Sequence, residues 1–257
     1  MTGLGEQGRR KLTRRSFPSK ATVETKGMTA ATADDPSPPS VVTALYLRTK
    51  TLHVEAERTG VIRDLLRGEA NREGYILLLR NLLPAYRAME QGLERHRGSP
   101  ALGRLADFRL DRSPALEADL VALCGERWSQ YIPLLAAGEL YARRIATAAE
   151  GDGARLIAHA YTRYLGDLSG GQILQRLLAR SLELRPSELS FYDFPQFSDL
   201  DMLKVDYRQA LDKAGALVVD PQALIEEGAI AFSLNIDVSC AVKAMLSSGS
   251  IAAATAQ

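Results

Sequence analysis

The feature that most constrains this chain is a helix-like stretch that contains three glycines. Residues 161–178 read YTRYLGDLSGGQILQRLL, with apolar residues at helical spacing and glycine at positions 166, 170 and 171. Each glycine costs about 0.8–1 kcal/mol relative to alanine inside a helix. Gly166 and Gly170 lie four residues apart and share one helix face, where the bare backbone allows another body to approach closely. We therefore expect a close contact over this face, and a bend within residues 166–171.

The remainder of the chain has the pattern of a helical protein. Apolar residues recur at helical spacing from Ser40 onward, and no segment alternates with the period of two that is typical of strands. The predicted helices cover 40–60, 71–95, part of 97–113, 113–125, 133–149, 153–183, 195–214 and 221–247. Pro84 should kink the second of them. The sequence thus predicts an all-α fold, a single globular domain of roughly seven to nine helices over residues 40–248.

The two ends of the chain differ from this middle part. Residues 1–27 carry seven Lys and Arg against two Glu, and residues 34–40 read DDPSPPS, a composition typical of disorder. We therefore predict a disordered basic and Pro-rich leader at 1–39. The last residues, 249–257, are predicted to be a flexible tail.

Charge and cysteine content restrict the class of protein further. The formal net charge is +1, which gives no whole-chain argument for binding nucleic acid or a membrane surface. No stretch approaches the ~18 consecutive apolar residues of a membrane span. Cys124 and Cys240 have no metal-type spacing and are expected to be free core thiols, which suits a reducing compartment. We therefore expect a cytoplasmic protein.

The three histidines are the candidates for metal ligation. His96 follows a basic helix end, where a surface position is expected, and His159 lies in a helical stretch where a buried structural role is expected. His53 lies mid-helix on a largely apolar turn, with Lys50 before it and Glu57 after it. A lone helical histidine is more often structural, and without HExxH or paired cysteines a zinc site is not supported. A haem iron, however, needs only one axial imidazole from the protein.

These two features combine into a resemblance to a known family. A flat macrocycle bound by His53 would need a thin surface over its other face, and the backbone at Gly166 and Gly170 offers one. LHVEAE near the start, followed by YTRYLGDLSGGQ two-thirds along, resembles the haem oxygenase family over about residues 40–248. The resemblance implies that haem lies between a proximal helix and a kinked, glycine-rich distal helix. It also implies oxidative cleavage of haem by dioxygen and external electrons to biliverdin, carbon monoxide and ferrous iron, in a soluble bacterial form.

The resemblance also implies roles for particular residues. It makes His53 the proximal iron ligand and Asp167 the distal carboxylate that orders water over bound dioxygen, with Gly166 and Gly170 beneath it. Its tyrosine companions match Tyr86, Tyr141 and Tyr161, and the positions that bind haem propionates match Lys50, Lys204, Tyr207 and Arg208. Phe232 and Asn235 match the family's last long helix. One departure is that a basic residue of the family, one turn before Lys50, is Tyr46 here.

Each of these residues also has an ordinary structural interpretation. Asp167 could be a solvated or capping carboxylate, Lys204 and Arg208 one exposed helix face, and the tyrosines core residues with hydrogen-bonded hydroxyls. Two alternative functions follow: a non-catalytic haem-binding protein for storage, transport or sensing, and a helical interaction module without haem.

The sequence also bears on partners. It carries no flavin or nicotinamide fingerprint, since EGDGA at 150–154 follows no strand, so electrons would come from an external reductase or ferredoxin. The expected partners are therefore haem, dioxygen and an electron-donor protein, with no nucleic acid and no membrane. The protein itself is expected to be a monomer or a weak dimer.

Overall fold

The computed structural model describes residues 39–249, and within that range the chain is all-α and contains no strand. The α-helices are α1 Val41–Arg58, α2 Gly60–Arg67, α3 Arg72–Arg95, α4 Gly103–Asp107, α5 Ser113–Cys124, α6 Trp128–Tyr131, α7 Ala136–Ala148, α8 Leu156–Ala160, α9 Gly166–Ser181, α10 Leu200–Gly215 and α11 Pro221–Ser247. A π-helical turn, Tyr161–Leu165, joins α8 to α9, and two 3-10 turns, Pro186–Glu188 and Ser190–Tyr192, precede α10. The all-α prediction is confirmed. The predicted leader and tail, residues 1–39 and 249–257, lie almost wholly outside the described residues and stay predictions.

Short polar side chains fix where several of the long helices begin. Ser40, Asn71 and Asp220 each accept a hydrogen bond from a backbone N–H in the first turn of α1, α3 and α11. The predicted starts of these helices are therefore confirmed to within a residue. The start of α10 was predicted at 195 but lies at Leu200, because the carboxylate of Asp199 caps the helix there.

Helix α2, Gly60–Arg67, was not predicted from the sequence. Gly60 was expected to end α1, and α1 does end at Arg58, but Gly60 then opens α2 directly. Its φ of +57° favours glycine, and a Cβ at this position would lie 2.3–2.5 Å from atoms of Ser239 on α11. The junction between α1 and α2 therefore packs closely against α11. α4 lies in the short helix predicted within 97–113, whereas the four residues of α6 are too few to show a period, and the single helix predicted at 153–183 is divided into α8, the π-helical turn and α9.

Helix α11 is the centre of the core. It is long and apolar enough to cross a membrane by composition alone. In this fold it packs against α1, α2, α3, α7 and α8, and Leu224 and Val242 are completely buried. The apolar composition of α11 is therefore explained by its place in the core. Cys240 on this helix and Cys124 are free, as predicted, but both are exposed, so the expectation of core thiols is wrong.

The irregularity in the glycine-containing segment lies slightly before its expected place. We expected a bend within residues 166–171, but α9 is regular from Gly166 to Ser181, and the π-helical turn Tyr161–Leu165 immediately precedes it. Single π turns inside helices are rare and occur frequently at functional sites. α3, by contrast, runs without interruption past Pro84.

Candidate functional site

An open cavity of about 670 Å³ lies between α1 and the segment formed by the π-helical turn and the start of α9. Its volume is within the usual range for small-molecule sites. The residues that line it are Tyr46, Lys50, Thr51, His53, Val54, Tyr161, Thr162, Leu165, Gly166, Ser169, Arg208 and Phe232. We call it the outer cavity.

His53 enters the outer cavity from α1. His53 follows Thr49 by four residues and lies on the same face of α1 as the buried Val42 and Thr49, but at its position the neighbouring space is the open cavity, so 58% of its side chain is exposed. Its ring lies 5.7 Å from the ring of Phe232, and its Nδ1 lies 3.6 Å from a carboxylate oxygen of Glu57. The imidazole is therefore accessible to a ligand in the cavity.

Gly166 of α9 presents a bare surface to the same space, and Gly170 presents one to an adjoining smaller cavity. A Cβ placed on Gly166 or on Gly170 would meet no protein atom within 4 Å, whereas one on Gly171 would lie 3.2 Å from the ring of Tyr192. Two glycines thus face open space and the third permits close packing inside the protein. A flat group in the outer cavity could rest on the backbone at Gly166, where any side chain would intrude. The cavity therefore fits a planar macrocycle with an imidazole ligand.

A smaller cavity of about 170 Å³, the inner cavity, adjoins the outer cavity and is also lined by these glycines. Its walls include Asp167, Gly170 and Gly171 of α9, and it shares Thr162, Gly166 and Phe232 with the outer cavity. The carboxylate of Asp167 is therefore close to the glycine surface and at the same time buried.

The Asp167 carboxylate belongs to a chain of hydrogen bonds that joins four helical segments. Tyr86 Oη on α3 donates to Asp167 Oδ2 at 2.5 Å and accepts from Arg163 Nε at 2.8 Å and Nη2 at 2.6 Å. Arg163 Nη1 donates to Asn235 Oδ1 on α11 at 2.5 Å. Asn235 Nδ2 donates in turn to Tyr141 Oη on α7 at 2.9 Å. We call these five residues the distal network.

Burial shifts the proton affinities within the distal network. Burial raises the pKa of Asp167, although Arg163 and the hydrogen bond from Tyr86 act against it. Burial also raises the pKa of Tyr86 well above its usual value and that of Tyr141 to about 12, so both hydroxyls stay protonated at neutral pH. Asp167 is thus surrounded by groups that donate hydrogen bonds, and its own proton affinity is increased. Such a carboxyl binds its proton more tightly than an exposed aspartate does.

The structure brings most of the predicted site residues together. His53, Lys50, Tyr161, Gly166 and Arg208 line the outer cavity. Asp167, Gly166 and Gly170 line the inner cavity, and Tyr86 and Tyr141 reach Asp167 through the distal network. Tyr46, at the position of the missing basic residue, is 58% exposed and also lines the outer cavity.

Two of the predicted propionate-binding residues lie elsewhere. Lys204 does not line the outer cavity, and its Nζ donates to Asp201 at 2.9 Å. Tyr207 is completely buried, with its ring against Phe108 and Tyr164 and its hydroxyl without a hydrogen-bond partner among the described residues. Tyr207 cannot reach a carboxylate in the cavity from this position, because its side chain belongs to the core.

Arg163 is the functional residue that the sequence interpretation missed. The sequence analysis assigned it no role, yet its guanidinium is the hub of the distal network. Arg163 and Asp167 lie four residues apart on one helical face, which is the spacing of side chains that can pair. That spacing was the available signal.

The other two histidines lie away from both cavities. The buried structural role predicted for His159 is confirmed, since its Nε2 lies 2.9 Å from a carboxylate oxygen of Glu227 and the side chain is completely buried. His96 is half-buried, with its Nε2 2.8 Å from the carbonyl oxygen of Ala149. Over residues 39–249, no group of three or more His, Cys, Asp or Glu could hold a bare metal ion. His53 therefore stands alone as a candidate ligand in the outer cavity.

Comparison with known proteins agrees with this geometry. The family model described as Heme oxygenase matches residues 40–241. The chain belongs to the haem oxygenase family.

Relatives and solved structures of other haem oxygenases extend this match. The chain is 36% identical over 193 residues to heme oxygenase 1 of Nostoc sp., covering 75% of this chain and 81% of that protein. It is 35% identical over 207 residues to heme oxygenase 1 of Homo sapiens, covering 79% and 72%. The crystal structure of heme oxygenase-1 from Synechocystis sp. in complex with heme superimposes with a TM-score of 0.75 at 31% identity, covering 84% of this chain and 96% of that one. The membership thus rests on sequence and fold together.

Proposed function

We propose that this haem oxygenase cleaves haem with dioxygen and external electrons to biliverdin, carbon monoxide and ferrous iron. One observation carries the proposal. His53 on α1 and the bare face of Gly166 on α9 line the same open cavity, and the buried Asp167 lines the inner cavity that adjoins it at Gly166. When bound, haem supplies the iron that binds dioxygen and is itself the molecule that is cleaved.

His53 would hold haem from the proximal side. A neutral imidazole is the ligand that leaves a haem iron able to bind dioxygen, whereas a thiolate favours O–O cleavage. Lys50 on α1 and Arg208 on α10 line the same cavity and are exposed. They would pair with the two propionate carboxylates, Arg208 with two parallel donors, and so fix the rotation of the ring.

Gly166 and Gly170 would set the space above the ring. The lack of a Cβ at both positions leaves room there, while the helix backbone limits that room on one side. A restricted space of this shape favours one direction of attack over others, because the reacting atoms are held near their productive geometry.

The distal network would place a proton next to this space. Tyr86 and Arg163 direct hydrogen bonds at Asp167 from two helices, so its carboxyl group has one preferred orientation. With its proton affinity raised by burial, Asp167 can act through an ordered water as a general acid. Arg163 keeps the network polarised without exchanging its own proton.

We further propose that an external reductase or ferredoxin supplies the electrons, and that the protein acts in the cytoplasm as a monomer or weak dimer. The absence of a flavin or nicotinamide motif from the sequence supports an external donor. The exposed mouth of the outer cavity, with His53 near the surface, supports electron delivery from a docked protein.

The test is to mix the purified protein with hemin, add ascorbate or a reductase in air, and follow the visible spectrum. Replacement of the Soret band by the spectrum of biliverdin supports the proposed reaction. A Soret band that persists through turnover conditions would instead indicate a non-catalytic haem-binding protein. If no Soret band forms, haem is not the ligand of the outer cavity.

A further inference from the structure

The back wall of the inner cavity is a single short turn. Phe191 and Tyr192 of the 3-10 turn Ser190–Tyr192 line the inner cavity, close to Asp167. Ser190 and Asp193, on either side of them in the chain, line a separate surface groove of about 610 Å³. One turn of backbone thus divides the buried side of the distal network from a groove that is open to solvent.

The two aromatic residues of this turn contact the distal elements directly. The ring of Phe191 meets the ring of Tyr86 edge-on at 5.4 Å between centroids. Tyr192 lies against Gly171, where a Cβ would be 3.2 Å from its ring. Tyr86 is the residue that donates to Asp167, so a displacement of Phe191 would change the position of the Asp167 donor.

Asp119 holds this turn from α5. Its Oδ1 accepts from Ser190 N at 2.8 Å and its Oδ2 accepts from Phe191 N at 2.9 Å, and the side chain is completely buried. Both oxygens of the carboxylate are therefore used to fix two consecutive backbone N–H groups that a 3-10 turn leaves without helical partners. A buried carboxylate is costly unless it is bonded in this way, so its presence indicates a requirement for the position of the turn.

Arg112 and Gln172 hold the same turn from its other sides. Arg112 Nη1 donates to the carbonyl oxygens of Phe191, at 3.4 Å, and of Asp193, and its guanidinium lies 4.1 Å from the ring centre of Phe194. Gln172 Nε2 on α9 donates to the carbonyl oxygen of Tyr192 at 2.8 Å. The turn is therefore bound on both its N–H and its C=O sides.

We infer that Asp119, with Arg112, is a positioning residue for the distal network: it clamps the Ser190–Asp193 backbone so that Phe191 supports Tyr86 and thereby Asp167. The inference rests on the proposed function, because it assigns a role in haem chemistry to residues that line neither the outer nor the inner cavity. Neither residue is a catalytic residue in this scheme. This clamp, the hydrogen bonds of Asp119 and Arg112 with the Ser190–Asp193 backbone, also keeps the surface groove beside Ser190 and Asp193 separate from the inner cavity.

Asp119→Asn tests the clamp with little change of shape. The amide group presents a donor to one of the two backbone N–H groups, so that hydrogen bond is lost. In the apoprotein, hydrogen exchange of the 190–193 amides should become on the order of ten-fold faster. In the ferric hemin complex, the axial imidazole spectrum should persist. The pH midpoint at which the visible spectrum changes on raising the pH, the alkaline transition, should move by about half a pH unit or more. Formation of biliverdin should slow by on the order of ten-fold.

Two further variants make the result decisive. Asp111→Asn, two residues before α5 and exposed, is the matched control and should match the wild type in all three measurements. Phe191→Leu leaves both Asp119 oxygens bonded to backbone and should reproduce the spectral shift, so the inference is testable even if Asp119→Asn folds poorly.

The outcomes separate the inference from the proposed function. Faster exchange in Asp119→Asn with a wild-type alkaline transition and wild-type biliverdin formation would show that Asp119 only stabilises the fold. A wild-type alkaline transition in Phe191→Leu would equally overturn the inference. Failure of the wild type to form biliverdin would contradict the proposed function, while the shift in the ferric complex would still decide whether the clamp acts on the distal side.

Discussion

Tyr86 donates a 2.5 Å hydrogen bond to Asp167, although the two residues lie 81 positions apart in the chain. The same hydroxyl accepts two hydrogen bonds from Arg163, so it is fully engaged. The carboxyl of Asp167 is therefore oriented by α3 as much as by its own helix. The chemistry proposed for Asp167 thus depends on residues far from it in sequence.

Replacing Tyr86 by Phe should impair turnover and leave haem binding nearly unchanged. The variant removes the donor to Asp167 Oδ2 and keeps the buried ring that contacts Phe191. Loss of a hydrogen bond to a charged group costs about 1.5–3 kcal/mol, so biliverdin formation should fall roughly 10- to 100-fold. Single-turnover spectroscopy with hemin measures the rate, and a hemin titration measures the affinity. Tyr131→Phe changes an exposed tyrosine and serves as the control; equal rates in both variants would remove Tyr86 from the mechanism.

Gly166→Ala should stabilise the apoprotein and weaken haem binding. Gly166 has helical φ and ψ of −63° and −48°, and its Cβ would meet no protein atom within 4 Å. Alanine should therefore add about 0.8–1 kcal/mol to the free energy of unfolding. The same methyl group would occupy the space proposed for haem, so hemin affinity and biliverdin yield should fall. Urea denaturation and a hemin titration measure the two effects. Arg176→Ala, on the exposed face of α9, is the control; unchanged hemin affinity in Gly166→Ala would place haem elsewhere.

His53→Ala should abolish the axial imidazole spectrum of the hemin complex. The side chain is the accessible imidazole of the outer cavity, and its removal leaves a space that free imidazole can enter. Addition of imidazole should therefore restore the ligand spectrum. His96→Gln is a suitable control, because glutamine can still donate to the carbonyl oxygen of Ala149. A wild-type spectrum in His53→Ala without added imidazole would assign the iron ligand to another residue.

The parts of this fold that are visible in the sequence are those that depend on local chemistry. Ser40, Asn71 and Asp220 mark helix starts because a short polar side chain can cap a helix without help from distant residues. Gly166 and Gly170 were identifiable as a bare face because their spacing alone places them together. α2 was missed because the φ of +57° at Gly60 is set by its contact with Ser239, far along the chain.

The parts of the site that the sequence conceals depend on tertiary contacts. Tyr207 and Arg208 are neighbours in the chain, but the rotation of about 100° between successive helical residues directs Tyr207 into the core and Arg208 into the outer cavity. The spacing of Tyr207 with Leu203 and Leu211 is that of a buried helix face, but which exposed residues of α10 line a cavity is decided by what packs around the helix. Asp119 lies at helical spacing from Leu116 and Leu123, which predicts a buried face, but its hydrogen-bond partners are set only where α5 meets the Ser190–Tyr192 turn.

Glu227→Gln should destabilise the protein at neutral pH, by an amount that shrinks on acidification. Burial alone would raise the pKa of Glu227, but hydrogen bonds from His159 and Arg144 lower it to about 2, against an ordinary value of 4.5. A carboxyl whose pKa is lower in the folded state contributes stability that is fully present above the unfolded pKa. That contribution is lost as the pH falls from about 4.5 toward 2.

The shift corresponds to on the order of 3 kcal/mol at neutral pH, because Glu227 is almost fully buried. The difference in free energy of unfolding between wild type and variant, measured by urea denaturation at pH 7, 5 and 3.5, should therefore shrink from about 3 kcal/mol at pH 7 to about 2 kcal/mol at pH 3.5. Glu226→Gln changes the neighbouring exposed carboxylate, which pairs with Arg48, and should leave the free energy of unfolding nearly unchanged at every pH, because exposed ion pairs contribute little. A difference between wild type and Glu227→Gln that stays constant from pH 7 to 3.5 would show that shape and not charge makes Glu227 stabilising.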